Sequence, residues 1–243
     1  MYSILYKRPL LDERKIYIVL YLVPYVPKYR KDTMYILNEE HTITKAFLQK
    51  PWKNLSYSEV RKISGKKSKS YIYRALSHLM HGGIVDNRVV GKSFLYHLRI
   101  DTIQAQAYLG FLSEYLSWQE THVPNEIVEK LATKVRKVTP FFIFIVTGSY
   151  AKKTQTKKSD LDITIICDDS VDPKAIEAEI DFETRLSTPQ VHLFVFKKKD
   201  FLEMLTNDEQ NYGKEVARNN LIFFGSDTYF NILNEAIQHG FRG

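Results

Sequence analysis

The spacing of apolar and polar residues changes three times along this chain, and each change predicts a different kind of structure. Residues 1–41 are rich in tyrosine and hold one dense apolar run, Ile16 to Val23. That run suits a buried strand or a short helix, and periodicity does not separate the two. From Thr42 to Ile100 the pattern predicts a short helix ending near Lys50, a second from Ser56 and a third over Lys69 to Met80. Ser56 and Glu59 fit a capping box, in which the hydroxyl takes the amide three residues on and the glutamate reaches back; Gly65 suits that helix's end. The third helix places Ile72, Ala75, Leu76 and Leu79 on one face, and Gly82 and Gly83 stop it. Ile84 to Val90, Gly91 and Ser93 to Ile100 then read as a hairpin. Its second strand alternates Phe94, Tyr96, Leu98 and Ile100 with Leu95, His97 and Arg99.

Residues 101–139 predict two connecting helices. Asp101 is placed to cap the first, and Pro124 suits the first turn of the second, whose Ile127, Leu131 and Val135 form a stripe. From Phe141 onward strands alternate with helices. The division is therefore 1–41, 42–100, 101–139 and 140–243, and the mixture of elements predicts an α+β fold.

Composition adds two constraints. Of 243 residues, 44% are hydrophobic and 13% aromatic, enough for ordinary packed cores. A net charge of +7 favours a polyanionic partner such as a nucleic acid or a nucleoside triphosphate. The single cysteine, Cys167, excludes an intrachain disulfide. The most apolar stretch, Ile16 to Pro27, is broken by Pro24 and Pro27 and falls well short of the roughly 20 residues a spanning helix needs. Asp12 and Glu13 precede it and no small-residue cleavage pattern follows. The expectation is a cytoplasmic protein with no membrane partner.

Two segments carry candidate chemistry. Phe141 to Val146 reads as a strand covered on both faces, and it runs directly into Thr147, Gly148 and Ser149. Gly148 lets a backbone approach a phosphate and the Ser149 hydroxyl can donate to its oxygen, although the pair by itself equally describes a turn. In Asp160-Leu161-Asp162-Ile163-Thr164-Ile165-Ile166, strand alternation puts Asp160 and Asp162 on one face while Leu161, Ile163 and Ile165 point into the core. Two carboxylates so close repel unless a cation lies between them, and hard oxygen ligands suit Mg²⁺.

The string from Gly148-Ser149 to Asp160-Leu161-Asp162, with the later Gly225 and the helix bearing Tyr229, Phe230 and Leu233, resembles the DNA polymerase beta superfamily of nucleotidyltransferases. Its minimal, prokaryotic-type members are the nearest in pattern. The resemblance spans about residues 140–240 and implies a mixed sheet with flanking helices. It also implies transfer of a nucleoside monophosphate from an NTP, ATP by first choice, to an acceptor with loss of pyrophosphate. Catalysis then falls on Asp160, Asp162 and His192, Mg²⁺ binding on Asp160 and Asp162, and nucleotide binding on Gly148, Ser149, Lys152, Lys153 and Ser159. Lys157 and Lys158 extend the same basic loop, which serves equally as a solvated surface. There is one departure: active relatives carry a third carboxylate on the next long strand, where Gln190-Val191-His192-Leu193-Phe194-Val195-Phe196 presents His192. A histidine can take a proton or bind a metal, and is equally a structural residue. Asp168, Asp169 and Asp181 are alternative acids.

Residues 42–100 resemble a winged helix-turn-helix, whose third helix enters the DNA major groove and whose wing meets phosphates or the minor groove. The resemblance assigns DNA contacts to Lys67, Lys69, Ser70, Tyr71, Tyr73, Arg74 and Ser77, with Arg88 and Lys92 on the wing. The fold also serves as a protein-interaction module. The connecting helices carry more apolar residues than a spacer needs, among them Phe111, Leu112, Tyr115, Leu116 and Trp118, so a homodimer is expected. For minimal nucleotidyltransferases of this signature, a HEPN-type toxin is an implied acceptor. Three functions stand at this point: an active nucleotidyltransferase located or regulated by its winged helix, a DNA-binding transcription regulator with a degenerate, NTP-sensing nucleotidyltransferase fold, or purely an interaction scaffold.

Overall fold

The computed structural model describes residues 40–243. The expectations for the Ile16 to Val23 run and for the stretch up to Pro27 lie outside the described residues.

Local signals build the first elements. Helix α1 (Glu40–Leu48) is followed by a two-residue strand β1 (Leu55–Ser56) and helix α2 (Tyr57–Ser64). The Ser56 hydroxyl accepts the Glu59 amide at 3.3 Å while the Glu59 carboxylate accepts the Ser56 amide at 2.8 Å, so the predicted capping box is closed at both ends. Gly65 ends the helix at φ 67°, a conformation that costs a residue with a Cβ. Helix α3 (Lys69–His81) is capped by Ser68 and buries Ile72, Ala75, Leu76 and Leu79, the predicted face. Strands β2 (Val85–Val90) and β3 (Ser93–Leu98) form the hairpin, with Val85 opposite Leu98, and β1 joins the free side of β3. Tyr96, Leu98 and Ile100 are buried as the alternation requires. Phe94 is not: it is 54% exposed at the hairpin tip, beyond the reach of the core.

The connecting helices differ from the expectation in two details. Asp101 does not cap α4 (Ile103–Trp118). Thr102 does, its hydroxyl accepting the Ala105 amide at 3.3 Å, because Arg99 holds the Asp101 carboxylate at 3.1 Å. In α5 (Asn125–Val138) the buried stripe is Val128, Leu131 and Val135, with Pro124 at the cap; Ile127 is one position off the buried line and only partly covered.

These helices also do more than connect. The Trp118 ring meets Phe223 edge to face at 4.9 Å, and its Nε1 donates to the Phe223 carbonyl at 3.1 Å. Leu109 and Leu112 are fully buried. Gly110 lets α4 approach so closely that an added Cβ would stand 2.8 Å from the Asp227 amide nitrogen. Much of the apolar excess between 101 and 139 therefore covers the chain's own core, leaving Ile103 and Phe111 exposed.

The second sheet has the order β6-β5-β4-β7. Its strands are β4 (Phe142–Val146), β5 (Leu161–Cys167), β6 (Val191–Lys197) and β7 (Leu221–Phe224). β4 runs antiparallel to both β5 and β7, whereas β5 and β6 are parallel, so the sheet is mixed. All five residues of β4 are buried. α5 and α7 (Pro173–Leu186) cover the face of Leu161, Ile163 and Ile165. The opposite face, with Ile143, Ile145 and Ile166, packs under α8 (Lys198–Thr206), α9 (Tyr212–Arg218) and α10 (Ser226–Gln238), continuous with the core beneath α1 to α4. Cys167 is buried at the end of β5. Among the described residues no helix is long and apolar enough to cross a membrane.

Candidate active site

The parallel pairing of β5 and β6 sets the register of the site: Asp162 stands directly opposite His192. Because successive strand residues alternate faces, His192 shares its face with Asp160 and Asp162. The ring nitrogens lie 3.8 Å from Asp160 Oδ2 and 3.6 Å from Asp162 Oδ1. Both separations exceed a hydrogen bond, so the three groups face one another across a gap. His192 is the most open, with 60% of its side chain exposed against 28% for Asp162. Burial pushes the Asp162 carboxyl up; His192 opposes that rise and Asp160 adds to it.

Gly148 closes the other side. Of the two readings of Gly148-Ser149, neither a phosphate loop nor a turn specifies a helix; the chain goes straight from β4 into a short one, α6 (Gly148–Lys152), with Thr147 as its cap. Gly148 has φ 61°, and an added Cβ would lie 1.9 Å from Asp162 Oδ2. No residue with a side chain fits this cradle. Thr147 fixes the junction by donating its amide to the Asp162 carbonyl at 2.9 Å.

Two carboxylates on one face, crowded by burial, are a suitable donor set for a hard divalent cation. Among the described residues no group of three or more His, Cys, Asp and Glu is placed to hold a metal ion. Mg²⁺ commonly takes one or two protein carboxylates and completes its shell with phosphates and water.

The remaining expected residues are placed as follows. Ser149 follows Gly148 in α6, and its carbonyl accepts the Thr154 amide at 2.9 Å. Lys152 is held by Glu215 at 2.6 Å, which lowers the glutamate's pKa, yet stays close enough to Asp162 to favour its charged form. Lys153 turns away to Glu120, with both carboxylate oxygens at 2.8 Å. Ser159 folds its own loop, its hydroxyl accepting the Thr156 amide at 2.9 Å. Lys157 and Lys158 are exposed. The alternative acids are engaged elsewhere: Asp168 with Ser170, Asp169 with the Lys199 amide, and Asp181 with Arg185.

One group at the site was missed from the sequence. The Tyr212 hydroxyl lies 2.9 Å from Thr164 Oγ1 and 3.2 Å from Thr147 Oγ1, and its ring packs on Phe194 at 4.5 Å. Burial raises its pKa, so it stays neutral and ties α9 to β5 and to Thr147 at the junction of β4 and α6. Thr164, a hydroxyl set between the apolar Ile163 and Ile165 of β5, was the available signal.

On α3, Lys69, Ser70, Tyr73, Arg74 and Ser77 are exposed and Tyr71 is half-buried; Lys67, Arg88 and Lys92 are exposed as well. Tyr73 stacks on Tyr57 at 4.8 Å, and the Lys69 ammonium lies over the Tyr73 ring, 5.8 Å from its centroid.

Residues 125–219, less than half of the chain, match the family model described as a nucleotidyltransferase domain. That stretch runs from α5 to the end of α9 and contains Gly148, Asp160, Asp162 and His192. A solved structure described as a toxin-antitoxin with AMP-PNP is similar at 17% identity, over 48% of this chain and 87% of that one, with a TM-score of 0.33. No curated protein matches the chain.

Proposed function

We propose that the chain transfers a nucleoside monophosphate from an NTP, ATP by first choice, to an acceptor, and that its amino-terminal elements are a DNA-binding winged helix. The convergence of Gly148, Asp160, Asp162 and His192 in one gap carries the enzymatic reading. Asp160 and Asp162 would hold Mg²⁺, which when bound neutralises charge on the triphosphate. Gly148 offers a backbone stripped of Cβ beside that charge. His192 takes the proton of the acceptor hydroxyl as its oxygen bonds the α-phosphorus and pyrophosphate leaves. A protein acceptor, for instance of the HEPN toxin type, belongs to this proposal, as does a homodimer using the exposed Ile103 and Phe111 of α4.

The test is thermal. Mg²⁺ with ATP should raise the melting temperature, since a ligand that binds only the folded state adds about RT ln(1 + [L]/Kd). Asp160→Asn with Asp162→Asn should remove the rise; an equal rise in the double variant would take both residues out of the site. Labelled ATP and a lysate of the source cells would then identify the acceptor, and absence of any transfer would favour the sensor reading.

The winged-helix reading rests on the exposed cations and hydroxyls of α3. Duplex DNA binding should weaken steeply with salt as condensed counterions return. Arg74→Ala should weaken it about threefold or more and lower the salt slope by about one. Folded protein that ignores duplex at low salt would leave this region as an interaction module.

A further inference from the structure

A basic cavity lies away from the carboxylates. It has a volume of about 650 Å³ and is lined by Lys50, Lys53, Arg218 and Arg242, with Trp52 at its side. Among the described residues no acidic side chain lines it. Lys53 is paired with Glu59 at 2.8 Å, but Lys50, Arg218 and Arg242 are in no ion pair among the described residues. The two guanidinium groups are positioned by neutral partners instead. Arg218 donates to the Gln210 side-chain oxygen at 2.7 Å, and Arg242 to the carbonyls of Ile237 and Phe241 at 2.9 and 2.7 Å. These bonds orient the heads without cancelling their charge. Four cations thus line one concavity, Lys53 with its partner Glu59 and Arg218 close enough to Glu215 to lower that carboxyl's pKa, while Lys50 and Arg242 add charge that no ion pair offsets; a concave surface of prevailing sign concentrates counter-ions.

The cavity is made by distant parts of the sequence: the loop between α1 and β1, the end of α9, and the segment after α10. Its one aromatic residue among the described lining, Trp52, packs edge to face on Phe241 at 5.2 Å, and Gly243 lies against its ring. The cations of the lining are the groups that recognise phosphate.

We propose that this cavity binds adjacent phosphate groups, as an anion site separate from Gly148, Asp160 and Asp162. Those phosphates come from a free oligophosphate or from a nucleic-acid backbone, and two arms distinguish the sources. In the first, inorganic tripolyphosphate is titrated calorimetrically into the full chain at low salt. Binding is expected, weakened at least tenfold by Arg218→Ala with Arg242→Ala and retained by the double lysine variant, which keeps the charge. Asp160→Asn with Asp162→Asn should leave this binding intact, so loss of the proposed catalytic site and loss of this one are distinguishable. In the second arm, duplex DNA is titrated across a salt series. A slope reduced by about two in the double alanine variant makes nucleic acid the source. An unchanged slope alongside lost tripolyphosphate binding makes it a free oligophosphate. Folded alanine variant that binds both ligands as the parent does, or a parent that binds neither, overturns the proposal.

Discussion

Gly148→Ala is expected to abolish the stabilisation by Mg²⁺ and ATP and to lower the melting temperature of the free protein by several degrees. Two independent costs meet at this residue. Its φ of 61° lies in the left-handed region, which costs a residue with a Cβ roughly 1–2 kcal/mol. The new methyl would also stand 1.9 Å from Asp162 Oδ2 and 2.8 Å from its Cγ, distances no side chain tolerates. The carboxylate would have to swing out of the gap it shares with His192, or α6 would have to withdraw from β5. Either movement separates the groups that would hold the metal and the triphosphate. For a chain of this size each kcal/mol is worth about 2–4 °C, so the stability change is readable by calorimetry beside the ligand-dependent shift. A Gly148→Ala protein that keeps its full shift with Mg²⁺ and ATP would show that the close approach is packing alone.

What was legible in the sequence follows from the range of the forces involved. The closed capping box at Ser56 and Glu59, the buried face of α3 and the fully covered β4 rest on local spacing, and the residues themselves announce them. The shared face of Asp160 and Asp162 is likewise a consequence of period-two alternation. Asp101 shows where locality misleads: its carboxylate suits a cap, but Arg99 two residues back competes for it, and Thr102 supplies the cap instead. Tyr212 shows a different limit. Its hydroxyl reaches Thr147 and Thr164 across separations of 65 and 48 residues, and no spacing rule connects those positions. The pairings of Lys152 with Glu215 and Lys153 with Glu120 belong to the same class, since a basic loop reads identically whether its charges meet a ligand or an acid. Distance in sequence, more than weakness of interaction, separates what could be read from what could not.

His192→Ala is expected to lower nucleotidyl transfer by about 10² to 10⁴ while changing NTP affinity little, the range typical for removing a positioned acid or base. Parallel register places the ring opposite Asp162, and its nitrogens stand 3.8 and 3.6 Å from the two aspartates. A purely structural histidine would be expected to be buried and hydrogen-bonded, whereas this side chain is 60% exposed and faces carboxylates beyond hydrogen-bond length. An open imidazole beside the proposed metal pair can reach an acceptor hydroxyl that approaches from solvent. Removing the ring deletes no bond that holds the fold, so the variant should melt near the parent temperature. Three readouts separate the roles: the melting temperature, the ATP dissociation constant with Mg²⁺, and the single-turnover rate of transfer to the acceptor. A fall confined to the rate assigns His192 to proton transfer. A matching loss of ATP affinity would move it to the metal or triphosphate site instead. Full transfer activity in His192→Ala would remove it from the chemistry and leave the two aspartates to act without a third partner on β6.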